Sequence, residues 1–112
     1  MKIPEQLKIG GHTFKIEYPY FFLERSDIDG HTDFCADKIF ISNVNSAGIE
    51  NHPDYVEQVF WHEIFHVINQ VYCCNGIENS TNNGEFMMDG LAQGLLQVLK
   101  DNFKELEIKD EL

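Results

Sequence analysis

The pentapeptide His62-Glu63-Ile64-Phe65-His66 constrains this chain more than any other feature. Val59, Phe60, Trp61, Ile64, Phe65, Val67, Ile68 and Val71 surround its polar groups, so the segment is apolar on most sides. Such a segment predicts a helix that starts near Pro53, a residue suited to the first helical position, and runs to about Cys73. Helical positions four apart lie one turn along the axis and about 40° apart around it. Both imidazoles then reach one point in space. Burying them with a carboxylate among apolar neighbours is costly unless something bonds them.

A metal ion supplies that partner. Zinc prefers nitrogen ligands in tetrahedral geometry, and Glu63 can reach water at an open coordination position without being a ligand. The competing reading is a pair of satisfied core histidines. A chance HExxH is about a 2% event at this composition, and the apolar helical context lowers it further. His62 and His66 are therefore expected as zinc ligands and Glu63 as the general base. A catalytic zinc site usually takes a third protein ligand. Glu85 and Asp89, four apart on the next helix, offer one. Against this stands a capping box, Asn82-x-x-Glu85, with Asp89 a surface acid near a helix N-terminus. Glu85 is preferred as the ligand.

The first half of the chain reads as β. Residues 12–18 alternate aromatic and β-branched side chains with polar ones after a Gly10-Gly11 turn. Residues 32–36 and 38–42 read as a second pair of strands around a tight turn near Asp37. After the pentapeptide helix comes a loop dense in turn residues, 75–83, and then a second helix from about Gly84 to Phe103. Met88, Leu91, Leu95, Leu99 and Phe103 form its apolar stripe, which reads as core. Strands followed by helices argue α+β, with a small, mainly antiparallel sheet packed on the pentapeptide helix and the second helix closing the site.

At 112 residues the chain holds one domain, 1–112. Nineteen Asp and Glu against eight Lys and Arg give a net charge of −11, with no cationic cluster, which argues against nucleic acid and anionic membrane as partners. Three cysteines, Cys35, Cys73 and Cys74, make a poor disulfide framework and read as buried or half-buried free thiols in a reducing compartment. No apolar leader or membrane-length run is present. The terminal Lys109-Asp110-Glu111-Leu112 and the sequon at Asn79 are accordingly read as coincidence, and a cytoplasmic location is expected.

HEIFH followed by Glu85-x-x-x-Asp89 resembles the gluzincin pattern. The layout is similar to very small, often phage-encoded HExxH proteins related to the ImmA/IrrE-like peptidases and the minigluzincins. The matching pieces are GGHTFKIEY, KIFIS, the HEIFH helix and DGLAQGLLQVLKDN. The resemblance implies a zincin-like fold and zinc-dependent hydrolysis of a peptide or protein substrate, with Glu85 as third ligand and Asp89 orienting His62. It also implies that an edge strand, for which residues 38–42 are the natural candidate, binds the peptide by strand addition. Asp89-Gly90 departs from the pattern, where Glu and a larger residue would be expected, and could move the ligand from Glu85 to Asp89. Tyr55, Tyr72 and His31 are candidate oxyanion donors. His12, His31 and His52 read as ordinary polar residues rather than ligands. The alternative function is a zinc-stabilised binding or regulatory protein with little or no hydrolysis.

Overall fold

The computed structural model describes residues 2–23, 28–76 and 84–103, the side chains of 84–89 and 92 excepted. Four strands and two helices build an α+β domain: β1 Gln6–Ile9, β2 His12–Glu17, β3 Gly30–Asp33, β4 Lys38–Ile41, α1 Pro53–Cys73 and α2 Gly84–Asn102. The sheet order is β1-β2-β4-β3. The outer pairings, β1 with β2 and β3 with β4, are antiparallel, while β2 and β4 run parallel, so the sheet is mixed.

Alternation sets the buried face. Leu7 and Ile9, Phe14 and Ile16, and Ile39 and Ile41 point to one side, where they meet Val56, Phe60, Ile64, Val67 and Ile68 of α1 and Val98 of α2. Leu91, Leu95 and Leu99 pack on this core from the α2 stripe, and Phe103 is buried just beyond the helix. Met88 of the expected stripe lies outside the described side chains.

Turn chemistry explains most boundaries. Gly10, with φ +62°, makes the two-residue β1–β2 turn, a conformation that glycine adopts without strain. The Asp33 side chain accepts the N–H groups of Cys35 and Ala36, and Asp37 takes φ +52°. This Asx-type turn ends β3 at Asp33, so the strand expected over 32–36 lies instead over 30–33. Helix α1 starts where Pro53 predicts, with the His52 ring accepting the Asp54 N–H at 3.1 Å.

One expectation is overturned. Residues 38–41 are not an edge strand, because β4 is sandwiched between β2 and β3. The edges are β1 and β3. Strand β4 is nearly all apolar on its inner positions, and a central place between two partners is what such a strand satisfies.

The two helices cross at glycines. A Cβ on Gly94 would lie 2.5 Å from Ile68 Cγ2 and 2.9 Å from Tyr72 Cδ2, and one on Gly90 would lie 2.8 Å from Cys73 Sγ. The pair, four apart, lets α2 settle directly on the end of α1. From that seat Gln97 and Asn102 reach the β1 backbone, as the geometry at Lys8 and Gly10 demonstrates: Asn102 Oδ1 accepts from Lys8 N at 2.7 Å, and Gln97 Oε1 from Gly10 N at 3.0 Å.

Candidate metal centre

The Nε2 atoms of His62 and His66 lie 3.0 Å apart, and with a Glu63 carboxylate oxygen they form a group whose ligand atoms all fall within 4.8 Å of one another. Helical spacing alone brings the imidazoles together, and their rings stand nearly edge to face at 79°. Two nitrogens bound to one tetrahedral zinc at about 2.0–2.1 Å would be roughly 3.3 Å apart. The donor set therefore fits a single zinc ion with little adjustment. A direct Nε2–H···Nε2 hydrogen bond is the competing explanation for so short an approach.

Burial divides the three residues in a way the sequence did not predict. Glu63 is buried, 6% exposed, whereas His66 is half-buried and His62 is exposed. The cost of burial thus falls on the carboxylate rather than on the imidazoles. Its partner is Thr32 of β3, whose hydroxyl donates to Glu63 Oε1 at 2.7 Å. Gly30, two residues earlier on the same face, supplies the space: a Cβ there would meet Val59 Cγ1 at 2.8 Å and both Glu63 Cγ and Oε2 at 3.1 Å. Glu63 is held by one oxygen and spared by an absent side chain. Neither Thr32 nor Gly30 was singled out from the sequence. The period of two places them on one face, but nothing local says which strand lies against α1.

The third ligand was expected on α2. Glu85 and Asp89 occupy the first turns of that helix, yet their side chains lie outside the described residues, as do Asn82 and the sequon at Asn79. The remaining histidines are otherwise engaged. His12 Nδ1 approaches Asp37 Oδ2 at 3.3 Å, His52 caps α1, and His31 stacks on Phe40 at 6.3 Å between ring centroids.

A cavity of about 300 Å³ opens beside the site, between the start of β3 and the first half of α1. Glu63 and His62 line it together with Tyr55, so Tyr55 alone of the three candidate oxyanion donors shares the space. Its hydroxyl donates to Asp29 Oδ2 at 2.6 Å. Tyr72 instead bonds Gln97 Oε1 at the helix crossing. A second, larger cavity of about 430 Å³ lies at the amino-terminal end of α1, around Tyr18, Asn51 and Val56, and contains none of the three centre residues.

Cys73 is buried and Cys74 and Cys35 are exposed, all as free thiols. Burial, and secondarily the neighbouring Cys74, push the Cys73 thiol above its ordinary range. No described helix is long and apolar enough to cross a membrane. Comparison with protein-family models, with curated proteins and with solved structures finds no match.

Proposed function

We propose that the protein is a zinc-dependent peptidase acting in the cytoplasm, with His62 and His66 as ligands, Glu63 as general base, and Glu85 as the third ligand with Asp89 orienting His62. The observation that carries this reading is the convergence of two imidazole Nε2 atoms with a buried, singly anchored carboxylate. A site that only stabilised the fold would gain nothing from a buried carboxylate at its margin. A bound zinc ion would polarise the substrate carbonyl and acidify water.

The chain's own groups do the rest. Thr32 holds Glu63 Oε1, which leaves Oε2 to take the proton of the attacking water and pass it to the leaving amine. Tyr55, on the cavity wall, commits its one hydroxyl proton to Asp29 Oδ2, so it fixes that carboxylate in the cavity rather than donating to the developing oxyanion. The edge strand β3, rather than β4, offers backbone groups to an extended peptide beside Glu63.

The test has two parts. Metal analysis of purified protein is expected to give one zinc per chain, and His62→Ala and His66→Ala should each lose most of it and melt at lower temperature. Stoichiometric metal in both variants would refute the centre. Glu63→Gln should keep metal and fold while losing turnover of a peptide library on the order of a hundredfold or more. Metal without cleavage of any peptide would favour the zinc-stabilised binding protein.

A further inference from the structure

The cavity beside Glu63 is chemically one-sided. Its apolar walls are Ile28 and Val59, and its polar groups are Asp29, Tyr55, Gln58, His62 and Glu63. No lysine or arginine lines it among the described residues, and the chain as a whole carries a net charge of −11. We infer that this cavity selects the substrate by taking a lysine or arginine side chain of the peptide, its aliphatic stem along Ile28 and Val59 and its cationic head at Asp29. This rests on the peptidase reading and adds a substrate class to it.

Three observations support the assignment. Asp29 spends only Oδ2 on Tyr55, and a carboxylate has acceptor sites to spare on its other oxygen. The hydrogen bond from Tyr55 to Asp29, with burial and the neighbouring charge adding, holds the Tyr55 hydroxyl above the ordinary tyrosine range, so the two groups stay paired and Asp29 is fixed in the cavity. The cavity is continuous with Glu63 and His62, so a side chain seated in it belongs to a residue next to the reacting bond. Long cationic side chains suit such a site because they bury their methylenes while keeping the charged end at a polar rim. An acidic side chain would meet Asp29 and Glu63 together and be repelled.

Binding to the zinc-loaded Glu63→Gln protein tests this without reference to turnover. The probes are capped hexapeptides identical except that Lys, Arg, norleucine, Gln or Glu is walked through each position. One position should favour Lys and Arg over Gln and Glu by roughly five- to tenfold, the size of a charge-assisted contact at a partly open site. Adding Asp29→Asn should reduce that preference to within about twofold. The amide oxygen still accepts the Tyr55 hydroxyl, so the fold should hold, as a melting curve would verify. Asp54→Asn removes the same charge from an exposed side chain outside the cavity and should leave the preference intact.

Equal binding of Lys, norleucine and Glu at every position would overturn the inference while leaving peptide binding standing. So would a preference that survives Asp29→Asn, or one that Asp54→Asn weakens equally, which would assign it to the acidic surface at large. If no peptide binds at all, the peptidase reading falls and the inference with it.

Discussion

At the β1 edge of the sheet, Asn102 and Gln97 bond the backbone of Lys8 and Gly10, each amide both accepting an N–H and donating to the Lys8 carbonyl. At the β3 edge no described residue bonds the outer backbone, and the Glu63 carboxylate lies just behind Thr32. An unpaired edge invites another strand, and proteins normally blunt it. Here one edge is closed by side-chain amides that imitate a fifth strand, and the open one is the edge beside the candidate centre. Closure serves stability, and the opening fits the addition of a peptide strand. The two edges should therefore respond to substitution in opposite ways.

The largest loss of stability is expected where α2 is seated, because that contact delivers the closing amides. Gly94→Val places methyl groups into Ile68 and Tyr72, and overpacking of this kind costs about 2–3 kcal/mol. Denaturant unfolding should register the loss. In the same variant Lys8 and Gly10 amides should exchange faster while those of β3 are unchanged, and Cys73, now shielded by the crossing, should react with thiol reagents nearly as fast as exposed Cys74. Uniform acceleration at both edges would show that they are not independent.

A smaller loss, about 1–2 kcal/mol, is expected for Asn102→Leu, which removes the acceptor for Lys8 N and a donor to Lys8 O without cutting the chain's apolar contacts. The matching change on the open edge, His31→Ala, should stay within about 0.5 kcal/mol, since that ring is exposed and only stacks on Phe40. If His31→Ala costs as much as Asn102→Leu by thermal unfolding, the β3 edge is structural too.

How much of this was legible in the sequence depends on the range of the cause. Helix α1 could be read nearly to the residue because Pro53 and its apolar spacing are local signals, and the convergence of His62 and His66 follows from helix geometry alone. Strand β1 was missed: four residues, Gln6–Ile9, ahead of the Gly10-Gly11 turn show too few alternations to register. The exchange of edge and centre between β3 and β4 had no local signature, because the parallel β2–β4 pairing joins segments more than 20 residues apart. Gly90 looked like a departure from a pattern, but the crossing explains it. A Cβ there would stand 3.0 Å from the Tyr72 carbonyl oxygen as well as against Cys73. Thr32 was illegible for the same reason as the sheet order, since its role exists only once β3 is known to lie over Glu63.

Thr32→Val is expected to cost little stability, and it bears most sharply on the two edges. Valine matches threonine in shape and removes only the hydroxyl that donates to Glu63 Oε1. Taking a donor from a buried carboxylate would ordinarily cost about 1.5–3 kcal/mol. Two effects offset that. The carboxylate borders the open cavity, so water can replace the lost donor, and valine suits a strand at least as well as threonine. The net change is expected to stay below about 1 kcal/mol, less than for Asn102→Leu. Turnover should respond more strongly, because a Glu63 freed at Oε1 no longer presents Oε2 in one orientation. A drop of about five- to tenfold in kcat, with KM little changed, is the expected signature of lost positioning. Thr32→Ser restores the hydroxyl and should restore kcat, a rescue that packing alone would not produce. If Thr32→Val destabilises as much as Asn102→Leu, or if serine fails where valine fails, Thr32 is a structural strut and the contrast between a closing edge and a working edge is lost.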